Sequence, residues 1–222
     1  NSTQKNAVYA AMIENVDTNI GRLLSELEQL ELTENTIVIF FSDNGGLKSV
    51  TNNEPLREGK AYLYEGGIRV PLIVKWPGKI SANSICNEPV ISDDLYPTIM
   101  DMVGKGVEPA IDIDGLSLKS LLFEKEKLKR KQLCWYYPHY GLAKMPGYAI
   151  RKGDIKLIEH YDPEKIELFY LKDDLSESNN LAEKNPEKVE ELKQSFSKWL
   201  KKMNPVMHTP NPNYKEGYRN DN

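Results

Sequence analysis

The chain has 222 residues, 29 Lys and Arg against 33 Asp and Glu for a formal charge of −4, and is 40% hydrophobic and 28% charged. These values exclude disordered and collagen-like chains and fit one large folded domain or one and a half. No apolar run, Ile37 to Phe41 included, approaches the ~20 residues of a membrane span. Asn1 to Ala7 carries no apolar secretion signal, the mild acidity argues against a nucleic-acid partner, and two cysteines, Cys86 and Cys134, are too few for a disulfide framework.

From Asn6 to Leu32 the apolar residues Val8, Met12, Val16, Ile20, Leu23, Leu24, Leu27 and Leu30 recur three or four apart, which predicts a long helix packed on a sheet. Gly21 inside it would mark a close approach. After a turn at Thr33 to Asn35, Thr36 to Phe41 has the unalternating β-branched and aromatic pattern of a strand buried on both faces of a parallel α/β sheet. Leu47 to Gly67 lacks a period and predicts a long surface loop; Arg69 to Trp76 predicts a second buried strand closed by Pro77-Gly78. Ser92-Asp93-Asp94 before Leu95 to Met100, with Pro97 in the first turn, predicts a helix that Gly104 ends.

The charge run Glu124 to Lys131 suggests a boundary near residue 125. Beyond it, Gln132 to Tyr137, Tyr148 to Arg151, Ile155 to Tyr161 and Glu167 to Leu171 read as short strands, with a hairpin turn at Lys152-Gly153-Asp154. Pro186 to Met203 reads as a helix with Val189, Leu192, Phe196, Trp199 and Leu200 on one face, and 204–222 as an extended tail. The expected organisation is 1–124, part of a mixed or parallel α/β sheet sandwiched by helices; 125–203, a small antiparallel four-stranded subdomain with a C-terminal helix; and the tail.

The most informative local feature is Asp43-Asn44 at the end of a buried strand, followed by Gly45-Gly46. α/β sheets bind ligands at strand C-termini, and a carboxylate beside an amide oxygen offers two hard donors suited to calcium or magnesium. The same four residues also serve as an ordinary turn. Further on, Gly59-Lys60 precedes Tyr64-Glu65-Gly66-Gly67-Ile68-Arg69-Val70-Pro71. His139 lies in the aromatic cluster Tyr136-Tyr137-Pro138-His139-Tyr140, where an imidazole among ring faces suits a sugar and equally suits a structural role.

Taken together, Ser42-Asp43-Asn44-Gly45, Gly59-Lys60 and the Tyr64 to Pro71 segment resemble the sulfatase family of the alkaline-phosphatase superfamily. The resemblance extends to Tyr9 to Leu32, Ser92 to Gly104, Asp114 to Leu118, Ala149 to Ile158 and Glu167 to Leu171, nearly the whole chain. It implies that Asp43 and Asn44 ligate a divalent cation, usually calcium with magnesium as the alternative, and that Lys60 contacts the sulfate and its bridging oxygen. His139 would line the substrate pocket. Glu65 and Arg69 would shape the lysine loop, and Asp93, Asp94 and Asp114 would act as caps and turn formers.

The family's nucleophile is a formylglycine made within a Cys/Ser-x-Pro-Ser-Arg segment, and this sequence contains none, so Cys86 and Cys134 are not its precursor. The implied partners are a sulfated small molecule or glycan and a missing N-terminal half of the catalytic domain that would carry the formylglycine; the chain alone is expected to be inactive. The resemblance implies a periplasmic or secreted protein, although the residues themselves do not show the compartment. A phosphoester or phosphonate hydrolase of the same superfamily and a noncatalytic remnant that binds a partner or a glycan are the alternatives.

Overall fold

The computed structural model describes residues 4–108, 112–141, 145–206 and 212. Helix α1 (Ala7–Gln29) starts where Asn6 Oδ1 accepts the Tyr9 N–H at 2.9 Å. A 3-10 turn over Thr33–Asn35 leads into β1 (Val38–Phe41). The short helix α2 (Glu65–Ile68) precedes β2 (Leu72–Lys75), and a 3-10 turn at Ser92–Asp94 starts α3 (Leu95–Met102). One short helix that periodicity does not predict, α4 (Lys119–Phe123), follows. Strands β3 (Leu133–Tyr137), β4 (Gly147–Lys152), β5 (Ile155–Tyr161) and β6 (Glu164–Tyr170) then form one antiparallel meander, and α5 (Pro186–Met203) closes the described chain. The predicted tail falls almost entirely outside the described residues.

Two expectations for the first half change. β1 does not run in a parallel pair: it pairs antiparallel with β2, Val38 opposite Lys75 and Phe41 opposite Leu72. Apolar continuity reports burial on two faces, not the direction of a neighbour, and in this chain Phe40 and Ile73 remain 39% and 59% exposed. Among the described residues α1 buries none of its side chains; Val8, Met12 and Leu23 are 72%, 60% and 58% exposed. Leu24 and Leu27 line a small cleft with Val38 and Lys75, where the helix's last turns approach the β1–β2 pair. A Cβ at Gly21 would meet nothing within 4 Å, so that glycine marks no close contact within the chain.

The four-stranded sheet holds the core, with one cluster on each face. Toward α5, Tyr148, Ile150, Leu157 and Leu168 pack on Leu192 and Phe196, and the Tyr148 and Phe196 rings stack with centroids 3.7 Å apart. Toward the opposite side, Ala149, Ile158 and Phe169 pack on Leu63 and Tyr64. The strict alternation of the strands sorts these two sets, and it also places Lys156, His160 and Glu167 on the second face, among apolar neighbours. The segment expected as a long surface loop is therefore two different things. Leu47 to Asn53 lies near the surface, but Leu63 to Gly67 is buried against the sheet.

Candidate active site

Asp43 and Asn44 leave the end of β1, and Gly45 and Gly46 turn the chain directly onto the lysine segment. The Gly45 N–H donates to the Gly67 carbonyl at 2.9 Å, and the Lys60 N–H donates to the Gly46 carbonyl at 3.1 Å. Asn53 closes the junction: its Oδ1 accepts the Gly46 N–H at 3.1 Å, while Nδ2 donates to the carbonyls of Gly46 at 2.8 Å and Glu58 at 3.0 Å. One side chain thus pairs with both loops as a strand edge would. Sequence reading passes over Asn53, which lies in an aperiodic stretch rich in turn residues.

The backbones meet so closely that side chains are excluded. A Cβ on Gly45 would stand 1.7 Å from the Gly66 oxygen, and one on Gly59 would stand 2.2 Å from the Gly46 oxygen. Gly45→Ala is therefore expected to destabilise the protein by at least about 1–3 kcal/mol, because backbone must shift. A denaturation midpoint equal to that of the native chain would show that the two loops can part without cost. Around Lys60, the non-glycine residues Glu58 and Ala61 have φ of 59° and 75°, left-handed conformations that cost on the order of 1–3 kcal/mol each. Such strain persists only where the surroundings over-determine the backbone, here through Asn53, Gly46 and the Tyr62 N–H bond to the Gly59 carbonyl at 3.0 Å.

The donor chemistry at the turn suits a hard cation in part. Asp43 is exposed, one of its oxygens accepts the Asn44 N–H at 2.9 Å, and the Asn44 carbonyl accepts from Ser42 Oγ at 3.1 Å. Two oxygen donors are fewer than the six to eight that calcium takes. Among the described residues no three His, Cys, Asp or Glu side chains converge to hold a metal ion. The residues present fit such an ion by type, and the remaining ligands would come from outside the set described here.

Behind the lysine segment lies a buried ionic network that the sequence does not announce. Lys156 of β5 is fully buried and donates to Glu65 Oε1 at 2.9 Å and Glu177 Oε1 at 2.7 Å. Arg69 and Arg151 approach the other Glu65 oxygen at 3.7 and 3.8 Å, so Glu65 and Arg69 pair and shape the loop. The Tyr64 hydroxyl donates to Glu167, and the Arg57 guanidinium lies 4.0 Å over the Tyr64 ring and 3.3 Å from the Glu167 carboxylate. Burial alone pushes the Glu167 carboxyl up, but the hydrogen bonds from Tyr64 and Lys165 and the Arg57 charge outweigh it and hold it below the usual range. The place of Lys156 on the same face of β5 as Ile158, opposite Phe169, is the available signal.

His160 sits on the same face, buried, its ring 5.8 Å from Tyr64 and its Nε2 3.9 Å from Glu167. Burial lowers its pKa, against the pull of the Glu167 charge and with Lys165 and Arg57 adding to the lowering. The folded protein therefore prefers the neutral ring. The unfolded chain takes up its proton near the ordinary value of about 6.5, so stability is full above that pH and falls as pH drops below it toward the lowered folded value. Denaturation at pH 7.5 and 5.5 is expected to show this loss, and His160→Gln to reduce it. An identical pH dependence in the variant would remove His160 as its source.

Asp94 acts structurally: fully buried, it accepts the N–H groups of Ile91 at 2.9 Å and Leu116 at 2.8 Å and pairs with Arg130 at 2.5 Å. His139 lies just past β3, exposed and edge-on to Tyr137 with centroids 5.5 Å apart, and Tyr137 in turn packs on the cluster that holds Leu63 and Tyr64. Tyr140 beside it donates to Asp162 at 3.1 Å. Burial pushes the Cys134 thiol up to about 12, so it stays protonated.

The sulfatase family model matches residues 1–105, and the model described as N-sulphoglucosamine sulphohydrolase, C-terminal, matches residues 58–205. The chain belongs to the sulfatase family and corresponds to the C-terminal portion of its fold. It is 41% identical to a sulfatase of Formosa agariphila over 81% of this chain and 36% of that one. It is 36% identical to an N-acetylglucosamine-6-O-sulfatase of Bacteroides thetaiotaomicron over 78% of this chain and 31% of that one. The solved structure of Ps i-CgsB in complex with k-i-k-neocarrahexaose superposes with a TM-score of 0.80 at 30% identity, over 88% of this chain and 44% of that one. The chain thus spans about a third of the length of these curated relatives. Among its described residues no helix is long and apolar enough to cross a membrane.

Proposed function

We propose that this chain supplies the cation turn and the sulfate-contacting lysine of a sulfuric ester hydrolase acting on a sulfated carbohydrate. The observation that carries this reading is the glycine-packed junction in which Gly46 accepts from Lys60, so that Asp43, Asn44 and Lys60 rise from one braced backbone unit. Asp43 and Asn44 would hold calcium, which when bound would polarise a sulfate oxygen and offset its charge. The Lys60 ammonium would face the bridging oxygen and stabilise the negative charge that builds on the leaving alcohol. His139 and its tyrosines would present rings and an imidazole to a sugar.

In this reading residues 1–124 belong to the catalytic domain and 125–203 form the small subdomain that backs it. The exposed apolar stripe of α1, from Val8 to Leu23, would be covered by the remainder of a sulfatase fold, which would also hold the formylglycine. A sulfated carbohydrate is preferred to a phosphate or phosphonate ester because the relatives include an N-acetylglucosamine-6-O-sulfatase.

The test is release of inorganic sulfate from N-acetylglucosamine 6-sulfate by the full-length protein, with p-nitrophenyl sulfate and p-nitrophenyl phosphate as comparisons, in calcium and after chelation. Calcium-dependent sulfate release is expected. Asp43→Ala should raise the calcium needed for half-maximal activity by on the order of 100-fold, since even groups behind a metal ligand are worth 10–100-fold. Phosphate release alone would replace the reading with the phosphoesterase one, and glycan binding without turnover would replace it with a noncatalytic one.

A further inference from the structure

Lys60 sits in a segment whose two ends are tied to one residue from the far side of the chain. Upstream of it, Arg57 donates from its guanidinium to the Glu177 carbonyl at 2.7 Å. Downstream, the Glu65 backbone N–H, the first of α2, donates to Glu177 Oε2 at 2.6 Å. The residue before α2, Tyr64, makes no side-chain capping bond among the described residues, so Glu177 provides from a distance the acceptor that a helix start requires. Glu177 lies in the loop between β6 and α5, is fully buried, and has φ of 51°, a conformation uncommon outside glycine.

Joining this loop to the sheet does not by itself require charge. Leu63 and Tyr64 already pack on Ala149, Ile158 and Phe169. A buried ion pair is often no more stabilising than apolar residues of the same shape; what it adds in some proteins is a unique geometry, because each charge must meet its partner. Here Lys156 bonds Glu177 and Glu65 together at 2.7 and 2.9 Å, and the geometry so specified is that of the backbone on both sides of Lys60.

We propose that Glu177 is the positioning residue that sets the place of the Lys60 ammonium, by clamping Arg57 and Glu65 at the two ends of its loop. The proposal rests on the reading of Lys60 as the sulfate-contacting group. Glu177→Ala removes the side-chain half of the clamp. Glu177→Gln keeps an oxygen for the Glu65 N–H, and Glu177→Asp keeps the charge facing Lys156 but not the reach, which guards against an alanine variant that fails to fold.

Two readouts on the full-length protein decide it. In hydrogen exchange followed by mass spectrometry, Glu177→Ala and Glu177→Asp should speed exchange in residues 57–67 by about tenfold or more, the loss of one charge-assisted hydrogen bond, while the strands over 147–170 keep their protection. Glu177→Gln should restore most of it. Unchanged exchange in 57–67 overturns the proposal. In steady-state kinetics on aryl sulfates, Glu177→Ala should lower kcat about 10- to 100-fold with KM little changed, and most for the poorest leaving groups. In a Lys60→Ala background it should cost nothing further, and full additivity of the two losses overturns the proposal. If Lys60→Ala itself leaves kcat unaltered, the reading of Lys60 fails, and the exchange experiment alone decides whether Glu177 holds the loop.

Discussion

Lys156→Met is expected to destabilise the protein by about 3–5 kcal/mol, the cost of leaving buried charges without their partner. The ammonium is fully buried between Glu65 and Glu177, which are 2% and 0% exposed. Methionine matches the lysine stem in length and apolarity, so packing changes little and the effect isolates the charge. Arg69 and Arg151 stand 3.7 and 3.8 Å from Glu65, too far to replace a direct hydrogen bond. The two carboxylates would be left facing each other in a region of low dielectric, where both Coulomb repulsion and desolvation oppose ionisation. Urea denaturation reads the loss as a lower midpoint at unchanged slope. Adding Glu177→Gln to Lys156→Met removes one orphaned charge and should recover part of the stability, a non-additivity that marks a coupled pair. A loss below about 1 kcal/mol would mean that the site admits water or rearranges, and that the ion pairs are not what joins the lysine loop to the sheet.

Lys60→Ala in the full-length protein is expected to lower kcat on the order of 100-fold or more, the usual consequence of removing one group that stabilises developing negative charge. The substitution tests the ammonium alone, because the Lys60 backbone N–H bond to Gly46 does not depend on the side chain. The loss should fall mainly on kcat, since the charge on the bridging oxygen grows only toward the transition state. Across a series of aryl sulfates it should be largest for phenols of high pKa, which carry the most charge as they leave. Lys60→Arg keeps a positive charge but spreads it over a planar fork, and should restore only part of the rate. A rate unchanged by Lys60→Ala would take this residue out of the mechanism and leave the Asp43-Asn44 turn and the sugar-facing His139 as the remaining assignments.

Where a signal is local, the sequence carried it to the residue. Pro186 at the first helical position and the stripe Val189, Leu192, Phe196 mark α5, which runs over Pro186–Met203 as predicted. β5 spans Ile155–Tyr161 as predicted, bounded by a hairpin turn whose Gly153 has φ of 58°. β6 starts earlier than read, at Glu164, because Asp162-Pro163 breaks the pattern yet forms the turn between two paired strands. Asp43, Asn44 and Lys60 stand out as candidates through the resemblance of their glycine-flanked segments taken together, since each segment alone also reads as a turn or a solvated loop, and His139 stands out because it lies among tyrosines.

Other features depend on partners distant in the chain. Nothing within Thr36 to Phe41 says that its neighbour is β2 or that it runs antiparallel, since apolar continuity records burial alone. The period of α1 states that one face is apolar, not what covers it, and the described chain leaves that face bare. Lys156, Glu167 and Glu177 look like ordinary solvated charges until the alternation of β5 and β6 and the left-handed turn at Glu177 bring them under Tyr64 and Glu65. The sequence by itself determined most of the elements and the family, and offered candidate residues for metal- and sulfate-type chemistry, because propensity, period and motif act over a few residues. Only the tertiary structure decided how the lysine loop is held, because a buried charge acquires its meaning from partners that folding carries to it from far along the chain, as Lys156 comes to Glu65 over a separation of 91 and Glu177 to the Glu65 N–H over one of 112.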